Sequence, residues 1–151
     1  MKIRHYRRWL QCGVLSLSVM SGMLFATSNT PQQNYILKCS GCHDSDGSGS
    51  VPGGIPPLPG YLGAFMDDDQ GRIYLMNVPG VVASGLNNHD LAVLMNYLND
   101  KWGDKVNARP YTAEEIAQIR SAPLQDVVKY RRQIVERFNL SGIETGSYPW
   151  P

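Results

Sequence analysis

Two cysteines one helical turn apart, with a histidine directly behind the second, leave a chain few options. Residues 39–43 read Cys-Ser-Gly-Cys-His. The pattern C-x-x-C-H is the attachment signature of a c-type haem. The spacing suits the chemistry: Cys39 and Cys42 can each add to one of the two vinyl groups along one edge of a porphyrin. The helical turn then carries His43 under the ring, where an imidazole nitrogen can bind the iron. Three rivals are weaker. A thiol–disulfide centre at a helix N-terminus calls for a strand–helix–strand setting, and the flanks show no strand pattern. A zinc site needs four ligands, and beyond residue 28 the chain offers only Cys39, Cys42, His43 and His89, with His43 too close to Cys42. Chance occurrence is opposed by the export signal and by the sparing use of cysteine.

The N-terminus bears on where this chemistry takes place. Lys2, Arg4, Arg7 and Arg8 precede an apolar stretch, Leu10 to Ala26, and small residues at Ala26-Thr27-Ser28 suit a cleavage site. Residues 1–28 read as a secretory signal peptide that is removed, in preference to a retained membrane anchor. The segment carries four basic and no acidic residues, so its loss turns a net charge of +1 into −3 over the remaining 123 residues. Cys12 leaves with it, and the two cysteines that remain both belong to the motif, which excludes a structural disulfide framework. The charge balance and the lack of a basic stripe interleaved with aromatics exclude a nucleic-acid partner. A membrane partner follows only if the first segment is retained.

Local signals predict helices throughout. Thr30-Pro31-Gln32-Gln33 is a capping box with proline in the first turn, so a helix over residues 32–39 runs into the motif. Asp44–Ser50 is polar, glycine-rich loop that resembles a calcium-loop start only superficially, because no closing glutamate follows. Gly53–Gly60 is a stiff, proline-rich loop. A short helix is expected over residues 70–77, with Asp67-Asp68-Asp69 at its positive end. A longer one is expected over 87–100, where Leu91, Leu94, Met95 and Leu98 recur at helical spacing.

On these residues the chain resembles the class I c-type cytochromes over roughly residues 31–102. In that family a glycine-proline-x-leucine segment follows the motif helix, and a proline carbonyl there accepts a hydrogen bond from the proximal histidine. Gly54-Ile55-Pro56-Pro57-Leu58 looks like that element, with Pro56 as the acceptor. The resemblance implies an all-α, class I cytochrome c fold of helices around one covalently attached haem c. It also implies a final core helix crossing the first, a role that residues 87–100 fit.

The chain departs from the family at the sixth iron ligand. A methionine is usual in a loop shortly before the last helix, often followed by proline, and here that place reads Val78-Pro79-Gly80-Val81. Met76 is the first candidate, Met66 in a Phe65-Met66 turn the next, and Met95 reads as core filler on the last helix. His89 reads as solvent-facing. An open or water-bound iron stays as the alternative, because an open position suits gas binding or peroxide chemistry, whereas six-coordinate iron suits electron transfer.

Residues 105–151 extend past the resemblance, giving three sections: 1–28, the cytochrome domain 29–104, and the extension. Thr112-Ala113-Glu114-Glu115 is a capping box opening a helix to about Arg120. Pro123 opens another, with Leu124, Val127, Val128, Ile134, Val135 and Phe138 as its apolar stripe and Lys129, Arg131, Arg132 and Arg137 giving it a basic cast. The pair is expected to pack back over the haem domain, with a docking element as the other reading. Gly142–Pro151 has no pattern and reads as a mobile tail. The function implied is a periplasmic, monohaem electron carrier that is no enzyme itself. Its partners would be an exported dehydrogenase and an oxidase or further cytochrome. The alternative is a haem sensor or catalytic subunit with an open sixth site.

Overall fold

The computed structural model describes residues 29–103 and 108–148. The expected signal peptide (1–28), the 104/105 boundary and the last three tail residues lie outside the described residues. Eight helices follow one another among them: α1 (Pro31–Lys38), α2 (Ser40–His43), α3 (Leu62–Asp67), α4 (Asp69–Asn77), α5 (Pro79–Val82), α6 (Asn88–Trp102), α7 (Ala113–Arg120) and α8 (Val127–Leu140). No strand occurs among the described residues, where one isolated antiparallel bridge joins Ser50 and Ile55. None of the described helices is long and apolar enough to cross a membrane.

Caps fix where the main helices begin. Thr30 Oγ1 accepts from Gln33 N–H and Gln33 Oε1 from Thr30 N–H, so the box expected from the sequence closes and starts α1. Asp68 caps α4 by accepting from Gly71 N–H, and Asn87 caps α6 by accepting from Asp90 N–H. An eight-residue helix is too short to persist alone, so α1 depends on what it packs against. Its Tyr35 is buried, meeting Trp102 of α6 edge to face with ring centroids 5.1 Å apart. The first and last helices of the domain therefore cross, as the resemblance implied.

The main core gathers Tyr35, Leu62, Met66, Met76, Leu91, Leu94, Met95 and Leu98, with Tyr111 and Ile116 brought in by the extension. A second cluster joins Phe65 and Tyr74 to Ile134 and Phe138 of α8. The extension thus packs back on the domain, α7 against α4 and α6 and α8 against α4. A buried ion pair fastens it: Arg72, 1% exposed, donates to both Glu115 oxygens at 2.7 and 2.6 Å. It also donates to the carbonyls of Met66 and Arg109 at 2.9 and 2.8 Å and lies 3.7 Å over the Tyr111 ring.

Several local expectations need correction. Pro123 does not open the last helix, which starts at Val127 under an Asp126 cap. Pro123–Gln125 stay outside because Leu124 N–H is held by the side chain of Asn77 at 3.0 Å. Leu124 is therefore no part of the helical stripe, Val128 is exposed, and Arg131 is buried beside Ile134 and Phe138 instead of on the basic face. Phe65 and Met66 sit in α3, not in a turn. The Thr112 box is only half made: Thr112 Oγ1 accepts from Glu115 N–H, while the Glu115 carboxylate serves Arg72. The tail is anchored at one point, with Gly146 buried against Pro57 and Tyr61, while residues 141–144 and Ser147 are exposed.

Candidate haem site

The motif occupies the junction of two helices. Cys39 ends α1, and Cys42 and His43 lie in the single turn of α2, where both Cys42 N–H and His43 N–H bond back to the Cys39 carbonyl at 3.1 and 3.0 Å. The helix stops because Asp44 takes a left-handed conformation, φ 58°. The buried Tyr35 hydroxyl donates to the Asp44 carbonyl at 2.5 Å and ties this turn to the α1–α6 crossing. Burial pushes the Tyr35 pKa up to about 12, so the phenol stays a donor.

The following loop turns back onto the histidine. Gly49 N–H donates to the His43 carbonyl at 3.1 Å, Leu58 N–H to Gly47 at 2.8 Å, and Ser50 and Ile55 exchange two backbone bonds. Gly49 makes that return feasible: it has φ +65°, and a Cβ there would lie 2.5 Å from the Ile55 carbonyl and 2.8 Å from that of Pro56. The result brings the Pro56 backbone to the His43 ring. Burial lowers the His43 pKa and the Pro56 carbonyl raises it part of the way back. The neutral imidazole, the form that ligates metal, is therefore favoured. The Pro56 interaction falls short of full hydrogen-bond geometry, for buried Nδ1 has no hydrogen-bond partner.

A buried histidine beside the Pro56 backbone and two separate free thiols, all within one turn of helix, fit a covalently attached, histidine-ligated haem. Cys39 and Cys42 are free, Cys42 exposed and Cys39 half-buried against the main core. Burial raises the Cys39 thiol to about 11, so it stays protonated until it reacts. Among the described residues no group of histidine, cysteine and carboxylate side chains is gathered to hold a bare metal ion.

The methionines are less sharply sorted. Met76 is 1% exposed in the core that Cys39 touches, but Met66 and Met95 are buried in the same cluster, so burial does not single one out. His89 is exposed beside Asp90. In the place of the family's methionine loop stands the short helix α5, with Val81 packed on the core and Val82 exposed. Sequence reasoning missed Arg72 altogether. Its signal was there: it stands one helical turn before Met76, so a cation shares the apolar face of α4 and requires a buried acceptor.

Similar chains include two proteins of Thermus thermophilus, both called cytochrome c-552. One is 32% identical over 144 residues, spanning 80% of this chain and 95% of the relative. The other is 32% identical over 120 residues, spanning 64% of this chain and 91% of the relative. No protein-family model matches the chain. No solved structure matches it.

Proposed function

The chain belongs to the c-type cytochromes, and from that premise we propose that it is a periplasmic, monohaem electron carrier. The observation that carries this reading is the buried His43 ring with the Pro56 backbone beside it, one residue from a free Cys42. Bound haem c supplies the one-electron couple of its iron. Cys39 and Cys42 would hold the group through thioether bonds, and His43 would ligate its iron. The Pro56 carbonyl beside the ring would accept from Nδ1–H in the haem-loaded protein, which would fix the tautomer and strengthen the imidazole as a donor. The Tyr35–Asp44 bond and the α1–α6 crossing keep this turn rigid, which favours electron transfer because little has to rearrange. Met76, in the last turn of α4, would supply the second iron ligand in this reading. Partners are an exported dehydrogenase and an oxidase or further cytochrome.

One observation favours a second reading, a sensor or catalytic subunit with an open sixth site: α5 puts valines, not a methionine, in the family's ligand loop. The absorption spectrum of the exported protein, oxidised and reduced, with and without carbon monoxide, separates the two. A reduced spectrum indifferent to carbon monoxide in the parent and responsive in Met76→Ala supports the carrier with Met76 as ligand. A carbon monoxide shift in the parent supports the open site. Absence of covalent haem overturns both.

A further inference from the structure

The segment between α4 and α6 stands where the family has its methionine loop, and it offers iron no sulfur or imidazole donor. Residues 78–87 contain two polar side chains, Ser84 and Asn87, and both are committed elsewhere. The buried Ser84 hydroxyl donates to the Val81 carbonyl at 2.7 Å and accepts from Leu86 N–H at 3.3 Å. Asn87 accepts from Asp90 N–H and donates to the Asp90 carboxylate. A second iron ligand from this chain therefore has to come from outside the segment, as Met76 would.

The segment needs help to hold its course. α5 is a single turn, far shorter than a helix that persists alone, and its Val82 is 61% exposed. Val81 and Leu86 touch the main core. Further restraint comes at the two ends, and one short stretch of the extension supplies both. At the start, the buried Asn77 side chain donates to the Ile73 carbonyl at 2.8 Å and accepts from Leu124 N–H at 3.0 Å. At the end, Arg120 Nη1 donates to the Leu86 carbonyl at 3.1 Å and to Asn88 Oδ1 at 2.7 Å. Arg120 closes α7, and Leu124 lies in the link from α7 to α8. Because the Arg72–Glu115 pair pins α7 to α4, this link has a fixed base.

We propose that the α7–α8 link is a clasp on residues 78–87, with Asn77 and Arg120 as positioning residues that keep Met76 on the iron. The proposal rests on the haem reading above and on Met76 as the second ligand. Asn77 follows Met76 directly, so the bond from Leu124 to Asn77 also fixes the last turn of α4. With either end released, the segment is free to lift, α4 frays at its C-terminus, and the sulfur leaves the iron more often.

The test measures imidazole binding to the oxidised, haem-loaded protein, whose limiting rate at high imidazole reports how often the sulfur leaves. Asn77→Ala and Arg120→Met are each expected to raise that rate about tenfold, the effect of one or two lost hydrogen bonds. Arg120→Lys keeps a donor and is expected to restore most of the parent rate. Amide hydrogen exchange reads the same event on the protein. The amides of residues 81–84 are all hydrogen-bonded within the segment, so they should exchange about tenfold faster in Arg120→Met while those of α1 stay unchanged. Limiting rates that stay at the parent value in both variants overturn the clasp alone. An equal acceleration in α1 assigns the two residues to general stability and also overturns it. A parent whose reduced spectrum shifts with carbon monoxide overturns the Met76 reading, and the positioning role with it. Should the variants not accumulate, exchange in the haem-loaded parent decides: residues 81–84 are expected to be protected like α6, and exchange as fast as at the exposed residues 141–144 is the refuting result.

Discussion

Glu115→Ala is the sharpest test of how the extension is held. The substitution leaves the Arg72 guanidinium buried at 1% exposure with carbonyl oxygens as its remaining acceptors. Breaking a buried pair by removing one partner costs about 3–5 kcal/mol. The low end, about 3 kcal/mol, applies because the Glu115 side chain is 21% exposed and the carbonyls stay in place. With a urea slope of about 2 kcal/mol/M for a chain of this size, the unfolding midpoint should fall by roughly 1.5 M. The double variant Arg72→Met/Glu115→Ala should recover at least about 1 kcal/mol relative to Glu115→Ala, since no charge is then left stranded. Acid dependence supplies an independent check. Arg72 holds the Glu115 carboxyl below its ordinary 4.5, so the stabilisation is complete above about pH 4.5. It fades as pH falls through the lower folded value, and Glu115→Ala should lack this part of the pH profile. A loss below about 1 kcal/mol, the value of an exposed pair, would refute the argument.

Two further outcomes follow from the geometry. Gly49→Ala adds a Cβ 2.8 Å from the Pro56 carbonyl at a φ of +65°, so it should destabilise the protein by about 1–3 kcal/mol. It should also raise the reduction potential of the haem-loaded protein, by moving the Pro56 carbonyl away from the His43 ring whose donor strength it would raise; redox titration with an unmoved midpoint would detach Pro56 from His43. Arg137→Ala removes a two-bond contact to Asp68 at 2.7 and 2.8 Å, but the Arg137 side chain is 44% exposed. Urea unfolding should therefore show a much smaller loss than Glu115→Ala gives, and a cost like that of Glu115→Ala would mean the surface pair is mis-ranked.

Much of the site and its frame was legible because the signals are local. Caps at Thr30 and Thr112 bind backbone groups three residues away, so their sequence spacing and their geometry are one fact. The same holds for Cys39, Cys42 and His43, which one turn of helix brings together. Where a local signal met a distant partner it failed. Glu115 left its expected box for Arg72, forty-three residues away, and Asn77 held Leu124 out of the helix that Pro123 was expected to open.

The sequence by itself determined the chemistry of attachment, the order of the principal helices and the absence of a methionine from residues 78–81, all consequences of spacing along one stretch of chain. The resemblance named Pro56 as the partner of His43, but only tertiary structure shows how the two are brought together, by a loop that turns at Gly49 and bonds back at Gly47 and Ser50. It alone decided which arginines are buried. Arg72, Arg131 and Arg137 are equally basic as letters, and only the packing of α7, α8 and the tail makes one a saturated ion pair, one a buried charge without a carboxylate partner among the described residues, and one a surface contact. The physical reason is that burial and charge pairing depend on the dielectric and the acceptors around a side chain, and these come from residues remote in the chain.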